Sequence, residues 1–67
     1  MLEKARRAVL RRGLSREDAD EIVQEAFIKV DAYAKTREVR SHEGLLVSTA
    51  VNLSIDSQRR GARAPFV

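Results

Sequence analysis

The sequence between residues 15 and 34 reads SREDADEIVQEAFIKVDAYA. Apolar residues recur in it every three or four positions, which is the spacing that places side chains on one side of a helix. They are Ala19, Ile22, Val23, Ala26, Phe27, Val30 and Tyr33 or Ala34. The stretch therefore predicts an amphipathic helix that buries one apolar stripe against a core.

The start of this helix is marked by Ser15. Ser15 and Asp18 have the spacing of a capping box, with aspartate where glutamate is more usual. Acidic residues crowd the first turns, where the positive end of the helix dipole favours them. The face opposite the apolar stripe carries Asp20, Glu21, Gln24, Glu25 and Lys29. We therefore expect this face to be exposed.

Upstream, residues 2–12 predict a shorter helix with a narrow apolar stripe. The stripe consists of Leu2, Ala5, Ala8 and Val9. Gly13 can adopt the left-handed conformation that ends a helix. Because the segment is short and nothing before it could act as a cap, we expect it to be the end of a longer helix.

Downstream, the apolar rhythm stops at residues 35–41, which we interpret as a loop. Ser41 is the expected cap of a third helix, which Gly61 would end. The residues after it contain the only proline and have the composition of a linker. The expected organisation is one helical domain over residues 1–61 and the start of a linker at residues 62–67.

The third helix is apolar over more than half of its circumference. At about 100° per residue, one band is formed by Leu46, Thr49, Ala50 and Leu53, and a second by Val47, Val51 and Ile55. The remaining strip holds Ser48, Asn52, Asp56 and Arg59, with Leu45 at its start. Such a helix either lies at the centre of a small bundle or buries one band against another molecule. The expected fold is all-α, either a small three-helix bundle or a truncated four-helix domain.

Size and composition exclude several classes of protein. With 67 residues the chain can form one small core. It has no cysteine and a single histidine, His42, so neither a disulfide nor one of the common metal sites is expected. No catalytic set of side chains, no glycine-rich phosphate loop and no cofactor motif is found, so we do not expect an enzyme. The lack of cysteine fits the reducing cytoplasm, and no apolar run is long enough to span a membrane.

The net charge of +3 is distributed in three blocks. Residues 1–16 contain six basic residues and one acidic residue, residues 17–34 contain six acidic and one basic, and residues 35–67 contain six basic and three acidic. The net charges of the blocks are +5, −5 and +3. Blocks of opposite sign can be ordinary solvated helix faces, or they can bind two partners of opposite charge.

Two segments resemble the extracytoplasmic-function group of the sigma-70 family of RNA polymerase sigma factors. Residues 18–30, DADEIVQEAFIKV, are similar to that family's helix with the pattern D-A-E-D-[IV]-V-Q-E-x-F. Residues 50–60, AVNLSIDSQRR, are similar to its helix with the pattern A-R-N-L-x-[IV]-D-x-x-R-R. The similarity covers about residues 5–63 and implies the family's region 2 domain.

The resemblance implies that the acidic helix docks on the clamp of the largest subunit of core RNA polymerase. The residues that would dock are Asp20, Glu21, Gln24 and Glu25. Carboxylates that face a basic helical hairpin would steer association and set its register. Gln24 would add a neutral donor and acceptor where burying a charge is costly. The alternative is a solvated acidic face that serves only the helix dipole.

The resemblance also implies that the loop and the third helix bind the single-stranded promoter −10 element, with one base flipped into a pocket. The residues that would bind DNA are Tyr33, Lys35, Arg37, Arg40, Asn52, Arg59, Arg60 and Arg63. The cations would neutralise phosphates, Asn52 would contact a base edge or the loop, and Tyr33 would supply a ring for stacking. The alternatives are a core position for Tyr33 and, for Asn52, a hydrogen bond to a backbone carbonyl inside the bundle.

The sequence departs from the family pattern at positions that bear on DNA binding. The family's aromatic residues near the start of its second motif correspond to His42, Leu45 and Val47, and its arginine before the asparagine is Val51. These departures leave open a second function, that of a sigma-like module which binds an anti-sigma protein and does not bind DNA. Self-association of the isolated domain through its third helix is a further expectation, and no membrane contact is expected.

Overall fold

The computed structural model describes residues 2–63, with side chains up to residue 59. It contains three α-helices and, within this part of the chain, no strand: α1 (Leu2–Leu10), α2 (Arg16–Thr36) and α3 (His42–Arg63). Each helix packs on the other two. The expected all-α, three-helix architecture is confirmed.

Serine hydroxyls cap the two long helices. The Ser15 hydroxyl accepts a hydrogen bond from the Asp18 backbone N–H at 3.1 Å, as the capping-box spacing predicted. The Ser41 hydroxyl accepts one from the Gly44 N–H at 3.0 Å. Both caps satisfy amide groups that have no partner within the first turn of a helix, and they fix where α2 and α3 begin.

The end of α1 depends on Gly13. The helix ends at Leu10, two residues earlier than predicted, and residues 11–13 form a turn. The Gly13 N–H donates to the Leu10 carbonyl at 3.0 Å, and Gly13 has a φ of +91°. A left-handed conformation at Gly13 was predicted and is confirmed.

Replacing Gly13 should therefore destabilise the domain through its backbone alone. A Cβ at Gly13 would meet no atom within 4 Å, so steric contact with the rest of the domain is not a factor. Gly13→Ala is expected to lower the free energy of unfolding by about 1–2 kcal/mol, measured by urea denaturation. Gly13→Asn should cost less, because asparagine tolerates this region better. Equal stability of wild type and Gly13→Ala would contradict the assignment.

The connection between α2 and α3 is shorter than the predicted loop. α2 continues through Thr36, so that only residues 37–41 connect the two helices. The Lys35 ammonium lies 3.6 Å from the Asp31 carboxylate, one helical turn earlier. A cation in the last turn also interacts favourably with the helix dipole. These local interactions extend the helix beyond the point where the apolar rhythm stops.

The predicted end of α3 at Gly61 is wrong, because the helix continues to Arg63. Glycine inside a helix costs only about 1 kcal/mol relative to alanine, which does not force a helix to stop. The predicted linker over residues 62–67 lies mostly outside the described part of the chain and stays a prediction.

The core lies where the three helices meet. Its buried residues are Ala5, Val9, Ala19, Ile22, Val23, Ala26, Val30, Leu46 and Ala50. Leu46 is the largest side chain with no exposed surface. Ser54 is also buried, and its hydroxyl donates to the Val51 carbonyl at 2.7 Å. α3 packs on both other helices, which buries Leu46 and Ala50 of its first apolar band. Val47, Val51 and Ile55 of the second band are only half-buried, so the alternative that this band binds another molecule stays a prediction.

Phe27, a member of the predicted α2 stripe, lies at the surface. It is 43% exposed, whereas Val23 and Val30 on either side of it along the helix are buried. Phe27 lies at the edge of the stripe, where Leu2 of α1 is its neighbour across a groove. The expectation that Phe27 is buried in the core is therefore wrong, because its side chain lines this open groove.

Candidate functional site

The outer face of α2 carries the four side chains predicted to bind a protein. Asp20, Glu21, Gln24 and Glu25 are all exposed. They lie on the opposite side of the helix from the buried stripe, as the periodicity predicted. The face is therefore open to a partner along two turns of the helix.

One of these carboxylates already has a partner within the chain. The Arg6 Nε lies 3.0 Å from an Asp20 oxygen, and the side chains are 45% and 53% exposed. An ion pair this exposed contributes only about 0–1 kcal/mol. Asp20 can thus exchange Arg6 for another cation, but it is less available than Glu21 or Glu25. The sequence did not predict this link between the basic and acidic blocks.

An exposed apolar groove adjoins this acidic face. It has a volume of about 230 Å³ and is lined by Leu2, Val23, Gln24, Phe27 and Ile28. Ile28 is 66% exposed. This groove was not predicted, although an isoleucine at position 28, outside the apolar stripe, indicates an exposed apolar side chain.

Tyr33 and Arg40 form a second surface at the loop. They line a groove of about 350 Å³ together with Glu38, Val39, Ser41, Gly44, Leu45 and Ser48. Tyr33 is 45% exposed, so the alternative that places it in the core is wrong. The Arg37 guanidinium carbon lies 5.3 Å from the centre of the Tyr33 ring, a cation–π distance. The structure therefore brings three of the predicted DNA-binding residues together.

Asn52 and Arg59 extend this surface along α3. Asn52 is one turn beyond Ser48 on the same strip of the helix, and Arg59 is two turns beyond Asn52; both are exposed. Within the described side chains Asn52 makes no hydrogen bond, so the alternative of a bond inside the bundle is wrong.

Of the predicted cations whose side chains are described, only Arg40 lines this groove, whereas Arg37 lies over the Tyr33 ring and Arg59 lies farther along α3. Lys35 pairs with Asp31 on the outer side of α2 and does not line the groove. The side chains of Arg60 and Arg63 lie outside the described residues. Their proposed contact with phosphates stays a prediction.

The described residues contain no group of three or more His, Asp or Glu side chains that could hold a metal ion. None of the helices in this part of the chain is long and apolar enough to cross a membrane.

Comparison with known families gives one match. The family model Sigma-70 region 2 matches residues 1–64. Neither a curated protein nor a solved structure matches the chain significantly.

Proposed function

The chain belongs to the Sigma-70 region 2 family, whose domains give sigma factors their roles in RNA polymerase binding and promoter −10 recognition, and we propose that two separate surfaces of this domain carry these two roles. We place the chain in the extracytoplasmic-function group because of the motifs at residues 18–30 and 50–60. Binding to RNA polymerase would place this protein in the cytoplasm.

The polymerase-binding surface is the outer face of α2. Glu21, Gln24 and Glu25 are exposed and, within the described residues, unpaired, and Asp20 is held only by an exposed ion pair. The clamp of the polymerase's largest subunit would present basic side chains to them. Charge complementarity of this kind accelerates association and fixes register.

The DNA-binding surface is the groove beside Tyr33, and this groove is the observation that carries the proposal. It combines an exposed ring, the Arg40 guanidinium and a recess of about 350 Å³ beside the loop. A base flipped out of the single-stranded −10 element would enter the recess and stack on the ring. Asn52 and Arg59 would follow the same strand along α3.

One observation favours a second function. Tyr33 is the single aromatic residue among the side chains that line the groove, and the Arg37 guanidinium already lies over its ring. If that ring is not available to a base, the domain would act as a sigma-like module that binds an anti-sigma protein. Self-association through the half-buried Val51 and Ile55 of α3 also stays a prediction.

Tyr33→Ala tests the DNA-binding surface. The 67-residue chain is titrated with a fluorescent single-stranded oligonucleotide that carries a −10 sequence, at several salt concentrations. Loss of the ring should weaken binding roughly ten- to one-hundredfold, because stacking of a base on an aromatic side chain contributes about 1–3 kcal/mol. Tyr33→Phe keeps the ring and should bind like the wild type.

Two results would decide against DNA binding. Equal affinities of Tyr33→Ala and wild type would remove Tyr33 from the site. No binding of the oligonucleotide by the wild type, together with tight association with an anti-sigma protein, would support the second function.

A further inference from the structure

Two cations of α1, Lys4 and Arg7, and Arg11 in the turn that follows it line one groove between α1 and the start of α3. Lys4, Arg7 and Arg11 are spaced by three and four residues, so they lie along one side of the helix. The groove has a volume of about 480 Å³, and its other lining residues are Ala8, Ser41, Glu43, Gly44 and Val47.

The positive charge of this groove is only partly neutralised. The Lys4 ammonium lies 3.3 Å from the Glu43 carboxylate. Arg7 and Arg11 are exposed, and neither forms an ion pair with a described acidic residue. Two guanidinium groups one helical turn apart are therefore available to an anion, and guanidinium groups bind phosphate oxygens well.

This basic groove adjoins the groove beside Tyr33. Both are lined by Ser41 and Gly44, so the first turn of α3 separates them. A strand with a base in the Tyr33 groove could cross this turn and reach Arg7 and Arg11. Gly44 adds no side chain at this crossing point, and a Cβ there would lie 3.2 Å from the Ser41 hydroxyl oxygen.

Residues near both ends of α1 contact α3. Lys4 pairs with Glu43 near the start of α3, and the Gln58 side-chain amide donates to the Arg12 carbonyl at 2.7 Å farther along it. α1 therefore lies parallel to α3. Lys4, Arg7 and Arg11 therefore keep the same position relative to the DNA-binding side of the domain.

We propose that Arg7 and Arg11 bind the phosphate backbone of the same single strand that the Tyr33 groove captures. This inference rests on the proposed DNA-binding function and extends the contacted strand across the first turn of α3. A docked protein fits the groove less well, because protein interfaces centre on apolar anchors. The exposed large apolar side chains, Leu2, Phe27, Ile28 and Tyr33, are not among those that line it.

The test compares short and long oligonucleotides. The wild-type chain is titrated with oligothymidylates of about six and about twelve nucleotides, lengths within the range of single-strand sites. The longer strand should bind more tightly. The variant Arg7→Gln with Arg11→Gln should lose this gain, and for the longer strand the slope of log K against log salt should fall in magnitude by about 1.4, since each phosphate contact contributes about 0.7.

A second double variant provides the matched control. Arg16→Gln with Lys29→Gln also removes two positive charges, but from exposed positions that do not line the groove. It should keep the gain of the longer strand. Circular dichroism would verify that both double variants keep their helices.

The outcomes separate this inference from the proposed function. If the arginine variant keeps the gain, or if the wild type binds both lengths equally, the inference is overturned and the Tyr33 groove is unaffected. If polyglutamate of equal charge competes as well as the longer oligothymidylate, the groove binds an acidic protein instead. If the wild type binds neither length, the inference is overturned, and if it also fails to bind the −10 oligonucleotide, the DNA-binding function is overturned as well.

Discussion

Gln24→Ala combined with Glu25→Lys is expected to abolish association with core RNA polymerase. The first change removes a neutral donor and acceptor, and the second places a cation against the basic surface that we propose as the partner. Charged groups buried at an interface cost about 2–5 kcal/mol when their pairing is broken. At 1.4 kcal/mol per factor of ten, we expect affinity to fall at least roughly thirtyfold, measured by surface binding of core polymerase to the immobilised chain.

The design allows folding and DNA binding to be checked separately. Both side chains are exposed and outside the core, so the helical circular dichroism signal should not change. Binding of single-stranded DNA should be kept, because neither residue lines the Tyr33 groove. Glu38→Lys is the control for charge reversal, since it lies beside that groove and away from the outer face of α2. Polymerase association at wild-type strength in the double variant would remove the docking assignment.

The secondary structure could be predicted because its determinants are local. The hydroxyls of Ser15 and Ser41 each accept a hydrogen bond from the backbone N–H three residues later in the sequence. Gly13 can adopt a positive φ because glycine has no Cβ. The buried stripe of α2 follows from a period of 3.6 residues. The prediction from local sequence was wrong at Gly61, because a single glycine breaks a helix too weakly to end α3 there.

What the sequence could not supply was the arrangement of the helices in space. The Arg6–Asp20 pair joins residues from different helices, and no spacing along the chain predicts it. Phe27 has the periodicity of a core residue, yet its exposure depends on how much of α2 is covered by α1. Tertiary packing determines how the helices of a bundle are arranged, and neither helix propensity nor the apolar pattern of the sequence specifies it.

The two proposed binding surfaces differ in how far the sequence could identify them. The outer face of α2 is a single-helix feature, so periodicity alone placed Glu21, Gln24 and Glu25 on it. The groove beside Tyr33 combines the end of α2, the loop and the start of α3, and only the folded chain shows that Arg40 lies there. The basic groove of α1 was visible in the sequence merely as a block of charge.

Leu46→Ala is expected to have the largest effect on stability. Leu46 has no exposed surface and lies where α3 meets the other helices. Truncating a buried leucine to alanine costs about 2–5 kcal/mol, whereas a domain of this size has about 3–10 kcal/mol in total. We expect the midpoint of thermal unfolding to fall by more than about 10 °C, since 1 kcal/mol corresponds to roughly 4–8 °C in small domains.

The matched control for this change is Ile28→Ala, because Ile28 is also a large aliphatic residue but is 66% exposed. It should alter stability by less than about 0.5 kcal/mol. Leu46→Ala should also weaken polymerase and DNA binding together, in proportion to the unfolded fraction, because α3 supports both surfaces. The Gln24 and Tyr33 variants should each affect one activity. If Leu46→Ala and Ile28→Ala destabilise the domain equally, the packing of α3 on the other two helices is wrong, and so is the Tyr33 groove, which the start of α3 helps to line.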